Sequence, residues 1–320
     1  MALFTFNPET DELTLLEENE RDKSYSSPED QIAMEMINYF LKNFGCFNVP
    51  TQFIKALNYW IGAPEDKLQE KWTTYQISTA GYLINQDMCE NRKLRQGKQT
   101  VHEAYGVPNT INAILYAVLI EFSIKALETK TLIPQHLALY ASNNDLHTLL
   151  AHGHICPTEE LYYKICGNRG AFLSFSHQVI FLQQVYGTDK IDLTKLVRKI
   201  EIFLTIVDEC RRVAVNNTED IQAVHFSFPI MYAINKNKKD GELLVRIMQE
   251  RPQNEAVLKY ALSIVRNSGC FEYARKQLRL LKKEIVEENS KLSRNALMDS
   301  FFNDYLDVPP EFEDVTWKLS

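Results

Sequence analysis

Two observations predict an all-α fold. Glycine and proline are scarce, eleven of each in 320 residues, too few for a chain built on many strands and tight turns. Apolar residues also recur at the helical spacing of three and four from about residue 30 to residue 290, and no strand-like alternation persists. No stretch of linker composition divides the chain, so the helices are expected to form one domain over residues 29–320.

Residues 1–28 show no sustained period and read as a loose N-terminal arm. Ser26-Ser27-Pro28-Glu29-Asp30 has the composition of a helix start, with proline and acids in the first turn. Ile32, Met36, Tyr39, Phe40 and Phe44 make the first apolar stripe, and Phe53, Leu57, Trp60 and Ile61 the second. Leu137, Leu139, Tyr140, Leu149 and Leu150 continue the pattern, followed by Phe172, Phe175, Val179, Leu182 and Val185. A long helix is expected through Ile191, Leu193, Leu196, Ile200, Phe203, Leu204 and Val207, ending near Asp208. Val257, Tyr260, Ala261, Ile264 and Val265 precede a charged run, Arg275 to Glu288, that reads as a solvated outer helix.

The bulk composition excludes several classes. A net charge of −7 and the lack of a long basic stripe argue against nucleic-acid binding. Six scattered cysteines with no C-x-x-C pair argue against a disulfide frame or a zinc finger, and suit a cytoplasmic chain. The acidic first twenty residues do not resemble a secretory signal. The most apolar segment, Asn109 to Leu127, contains Glu121 and Lys125 and reads as a buried helix, so no membrane span is expected.

The most informative stretch is Gln86-Asp87-Met88-Cys89-Glu90-Asn91-Arg92-Lys93-Leu94-Arg95-Gln96-Gly97. Asp87 and Glu90 are three apart and share a helix face. Arg92, Lys93 and Arg95 follow at once. Carboxylates beside clustered cations are what a site needs to hold Mg²⁺ against a diphosphate.

Together with Ala63-Pro64-Glu65-Asp66-Lys67-Leu68-Gln69 upstream and His102-Glu103-Ala104-Tyr105-Gly106 downstream, this stretch resembles the trans-isoprenyl diphosphate synthases, specifically the geranylgeranyl diphosphate synthase branch. The resemblance runs in family order from about residue 30 to 290. It includes Cys156-Pro157-Thr158-Glu159-Glu160, Thr205-Ile206-Val207-Asp208-Glu209-Cys210, and Glu219-Asp220 followed by Phe226-Ser227-Phe228-Pro229. It implies a helical bundle of the isoprenoid synthase type around a central cavity. It also implies a prenyl diphosphate substrate, and Mg²⁺ held by two acidic segments on facing helices. In the first segment the leading aspartate is replaced by Gln86, with Asp87 and Glu90 retained; in the second, Asp208 and Glu209 remain. The resemblance assigns metal binding to Asp87, Glu90, Asp208, Glu209 and Gln86. It assigns diphosphate contacts to Arg95, Arg169 and Lys93, and the pocket floor to Tyr82 and Gly81. His225 stands where the family has a lysine, and an imidazole there is a candidate acceptor for a terminating proton.

The family's second diphosphate site, for isopentenyl diphosphate, is cationic. Here its positions read Phe47, Pro50, Thr79 and Gln96. Each charge-assisted contact to a phosphate contributes about 1.5–3 kcal/mol, so efficient chain elongation is not expected. What remains is an allylic half-site, which suits a terpene synthase acting on a ten- or fifteen-carbon diphosphate, as in insect enzymes derived from this branch. The alternatives are a degenerate, non-catalytic partner of an active prenyl synthase, and a weak prenyltransferase. The family implies a homodimer, or a heterodimer with such an active synthase.

Overall fold

The computed structural model describes residues 4–7, 12–15, 28–45, 51–128, 146–166, 179, 182, 183, 185–187 and 191–308. The stripes through Leu137–Tyr140 and through Phe172 and Phe175, together with Phe47, Pro50 and Arg169, lie outside them.

The helices, in chain order, are α1 (Pro28–Phe44), α2 (Thr51–Ile61), α3 (Glu65–Cys89), α4 (Val101–Tyr105), α5 (Val107–Glu128), α6 (Glu159–Cys166) and α7 (Thr194–Ala214). They continue as α8 (Glu219–Gln222), α9 (Phe228–Lys236), α10 (Lys238–Gln249), α11 (Glu255–Asn267), α12 (Cys270–Ser290) and α13 (Ala296–Tyr305). The fold is all-α, as the spacing predicts, with two small departures. Where the sequence suggests a loose arm, Phe4–Asn7 (β1) pairs antiparallel with Glu12–Leu15 (β2). The strands are four residues each, too short for their alternation to register over a longer window. A second hairpin joins Leu94–Arg95 (β3) to Lys98–Gln99 (β4) through Gln96 and Gly97, both with positive φ, 50° and 76°. Two consecutive positive-φ residues give the turn whose twist matches paired strands.

Three apolar clusters hold the helices together. Met34, Ile37 and Phe40 of α1 meet Ile77, Ala80 and Ile84 of α3 and Ala113 and Ala117 of α5. The largest cluster joins α2 through Phe53, Leu57 and Trp60 to α7, α12 and α13, with Phe53 and Phe301 stacked at 4.5 Å. The third gathers Ile230, Leu244, Leu258, Leu262 and Val265 from α9, α10 and α11.

α7 is the central helix. Leu196, Ile200, Phe203, Leu204, Val207 and Cys210 are all buried at spacings of three and four. It runs past Asp208 to Ala214, six residues beyond the sequence expectation. Cys210, Val213 and Ala214 extend the buried face, and Arg211 and Arg212 suit the negative end of the helix dipole. The outer helix expected from Arg275 is α12, which buries Ala274, Leu278 and Ile285. Ile32, Leu149, Val185, Val257 and Tyr260, each expected in an apolar stripe, are exposed.

α3 and α5 lie side by side, and Gly81 is where they come closest. A Cβ on Gly81 would stand 2.8 Å from the Ala117 Cβ, so the missing side chain is filled by the neighbouring helix. Gly81 is thus set against α5, and Tyr82 beside it is 1% exposed. Gly81→Leu should therefore force the helices apart and lower stability by about 2 kcal/mol, read as a reduced urea midpoint.

Candidate functional site

Both acidic helices end in the same way. At α3, Glu90 is the C-terminal cap, Asn91 takes a positive φ of 51°, and the Asn91 and Arg92 amides bond back to the Met88 and Asp87 carbonyls at 3.1 and 2.9 Å. This is the reversal in which a left-handed residue closes a helix. α7 repeats it with Asn216 at 61° and the Asn217 amide on the Arg212 carbonyl at 2.9 Å. The first reversal folds Arg92 back over its own helix end. Its guanidinium lies 2.8 Å from Glu90 Oε2, 3.5 Å from Asp87 Oδ1, 3.4 Å from Glu219 and 3.7 Å from Asp220. Burial alone would lower the Arg92 pKa; Glu90, Asp220 and Asp87 override it and hold the pKa raised.

The β3–β4 hairpin then delivers Arg95 to the other side of Asp87. Arg95 Nε donates to Oδ1 and Oδ2 at 3.1 and 2.9 Å, and Nη2 to Oδ1 at 2.7 Å. Arg95 also rests over the Phe40 ring at 5.8 Å. Lys93, which precedes β3, is exposed and pairs with Glu103 at 2.6 Å. Gln86 is drawn inward as expected, but it donates to Glu90 Oε1 at 2.9 Å.

From the opposite helix, Asp208 is ion-paired with Arg212, one turn on in α7, and Arg212 continues to Asp220 Oδ2 at 3.1 Å. Arg212 thus points into the acidic seam. Buried Asp220 would be pushed up by desolvation, but Arg212, His225 and Arg92 hold its pKa at about 2. Glu209 is buried and accepts from the Tyr162 hydroxyl and the Phe228 amide, both at 2.6 Å, on Oε2. Burial first, and then the neighbouring Cys166 and Glu209, push the Tyr162 pKa well up, so it stays a donor.

His225 joins the two halves. It is 6% exposed, with Nδ1 3.1 Å from Glu90 Oε1 and Nε2 3.5 Å from Glu209 Oε1. Burial favours the neutral ring, but Glu90 and Asp220 outweigh it and raise the pKa above its ordinary value. The ring thus has a carboxylate oxygen within reach of each nitrogen. The His147 ring lies 5.3 Å from that of His225, and His147, His225 and Glu90, all buried, each offer a ligand atom within 4.8 Å of the others. The sequence reading missed His147 and Arg251, whose Nη1 donates to the Glu90 carbonyl at 2.5 Å, and gave Arg92 only as one of a cluster of cations. One signal for His147 was present: three of the chain's seven histidines fall between residues 147 and 154.

A bundle of helices with two acidic segments facing each other across an arginine-lined seam is the frame of the site. Residues 30–265 match the family model described as polyprenyl synthetase, and the chain belongs to that family. It is 27% identical to a geranylgeranyl pyrophosphate synthase of Mucor circinelloides f. lusitanicus, over 88% of this chain and 96% of that protein. It is 28% identical to a terpene synthase of Matsumurasca onukii, over 87% and 94%. It is 27% identical to IDS-like terpene synthase 1 of Melampsora larici-populina, over 91% and 95%. No described helix is long and apolar enough to cross a membrane.

The two titrating groups give opposite pH effects. His225 has a raised folded pKa, so its contribution is complete below the unfolded value near 6.5 and is lost as pH rises through the folded value. Asp220 has a depressed pKa, so its contribution is present above the unfolded 3.8 and lost as pH falls through about 2. Urea midpoints measured in chelator from pH 5 to 9 should fall on the alkaline side, and His225→Gln should flatten that slope.

Proposed function

We propose that the chain is a class I terpene synthase that ionises one ten- or fifteen-carbon prenyl diphosphate and quenches the carbocation by loss of a proton. One observation carries the reading. The cation for a first diphosphate, Arg95, stands at the acidic seam on Asp87, while the described positions for a second are uncharged. Thr79 is fully buried and Gln96 is exposed in the hairpin turn. A protein that grips one diphosphate and not two can ionise an allylic substrate without elongating it.

Mg²⁺ is the implied cofactor, and the donor chemistry fits it unevenly. Asp87 and Asp208 are hard oxygen donors whose partners, Arg95 and Arg212, are cations that an incoming diphosphate can take over. Glu90 and Glu209 fit less well, because their oxygens are spent on Gln86, Arg92 and His225, and on Tyr162 and the Phe228 amide. Asp87 and Asp208 would therefore hold the ion, which supplies charge compensation to the departing diphosphate. Arg95 and Arg212 would transfer to the diphosphate, and the buried rings around α6 and α9, Tyr162 and Phe228, would exclude water. Arg169 is proposed as a further diphosphate contact and Tyr82 as the residue that shortens the cavity, on the family resemblance alone.

A second reading has its own support. Every carboxylate of the two acidic segments already has a cationic or hydrogen-bonding partner within the chain, as expected if charge compensation has replaced metal binding in a non-catalytic partner of an active prenyl synthase. The exposed apolar positions Val107, Ile111, Leu115 and Leu119 repeat every four residues along α5. They support pairing with a second helical chain, which we take to be another copy of this one. The five described cysteines are free thiols, which supports a cytoplasmic setting. Residues 29–320 are taken as one domain.

Purified protein with Mg²⁺ and geranyl or farnesyl diphosphate should release a volatile hydrocarbon or alcohol, detected by mass spectrometry, whether or not isopentenyl diphosphate is added. Asp87→Ala should lower turnover by at least a hundredfold with the fold retained. No volatile and no longer diphosphate would favour the non-catalytic reading, and a longer diphosphate the weak prenyltransferase.

A further inference from the structure

Glu90, His147 and His225 come from three separate parts of the chain. Glu90 caps α3, His147 lies on the helical stretch 146–152, and His225 follows α8. Their ligand atoms converge within 4.8 Å, and all three residues are buried. Two imidazoles and one carboxylate are not a Mg²⁺ donor set, since hard cations favour all-oxygen surroundings with several waters. They are the donor set of borderline divalent ions, which take three protein ligands and leave one position open.

We propose that Glu90, His147 and His225 form a buried site for one borderline divalent cation such as Zn²⁺, distinct from the Asp87 and Asp208 pair. Glu90 Oε2 is held by Arg92 at 2.8 Å, which leaves Oε1 to face the ion once Gln86 turns away from it. Oε1 and His225 Nδ1 are 3.1 Å apart, close to the separation that two bonds of about 2.0–2.1 Å subtend at a tetrahedral centre. The ion binds Nδ1, and the far nitrogen, Nε2, points to Glu209 Oε1 at 3.5 Å. A carboxylate behind a ligating histidine fixes its tautomer and strengthens its basicity. Glu209 is itself anchored by Tyr162 and the Phe228 amide, so the outer support is already built. The His147 ring, tilted 46° to that of His225, closes the third side by a side-chain rotation. Binding replaces the proton between His225 and Glu90 with the ion and releases that proton to water. The site ties the end of α3 to the α8–α9 junction without any demand on Asp87, so it stands or falls separately from the terpene synthase reading.

Co²⁺ is a spectroscopic substitute for Zn²⁺ and provides the test. Full-length protein stripped with chelator should bind one Co²⁺ per chain with the intense visible bands of a four-coordinate ion. Zn²⁺ should displace it and millimolar Mg²⁺ should not. Saturating Zn²⁺ should raise Tm by roughly 5 °C. His147→Gln and His225→Gln should lose the bands while keeping the helical circular dichroism, and Asp87→Asn should keep them. A wild-type spectrum no different from that of the free aqueous ion would overturn the proposal, as would unchanged bands in a folded His147→Gln. If neither histidine variant folds, the wild-type spectrum and the Zn²⁺ displacement decide alone.

Discussion

An imidazole between two buried carboxylates is the constraint around which this interior is arranged. Glu90 and Glu209 belong to different helices, and neither charge is stable in an apolar core without compensation. His225 serves both, at 3.1 and 3.5 Å. Its position depends on the short α8 and the turn after it, where the His225 amide bonds to the Asp220 carbonyl at 2.8 Å. Asp220 in turn meets Arg212 and Arg92, so the ion pairs of one helix continue into those of the other. The two acidic helices are joined by a continuous polar network, and the apolar clusters lie on either side of it.

The arginines decide what this network can do. In a seam with six carboxylates (Asp87, Glu90, Asp208, Glu209, Glu219 and Asp220), Arg92, Arg95 and Arg212 supply three fixed positive charges. Arg92 is committed inside, buried and surrounded by acids on several sides. Arg95 and Arg212 are partly exposed, at 19% and 29%, and stand nearer solvent. Arg95 and Arg212 are thus the cations nearer solvent, with Arg92 acting as structural cement.

Much of this was legible in the sequence, and the rest was hidden for identifiable reasons. Helical spacing gave the all-α class because burial of one helix face is a local pattern. It misplaced the end of α7 because Cys210, Val213 and Ala214 are weaker signals than the leucines and phenylalanines before them. The pairing of acids with arginines was visible only in part. Asp87 and Glu90 lie near Arg92 and Arg95 in sequence, but which arginine reaches which acid depends on Asn91 and on the hairpin. That hairpin sends Arg95 inward and Lys93 to Glu103. His147 meets Glu90 only through the tertiary fold, and no local spacing links residues so far apart.

The Gln96-Gly97 turn has a consequence for the history of the site. Position 96 is one where the family carries a second arginine, and in this chain it is exposed at a turn with a left-handed backbone. Restoring arginine there would set the charge in solvent, because the left-handed backbone of Gln96 places this position at the exposed tip of the hairpin. The hairpin would have to be rebuilt before the side chain could matter. The proposed loss of a second-diphosphate contact would thus be recorded in main-chain geometry as well as in residue type, and a single codon change would not undo it.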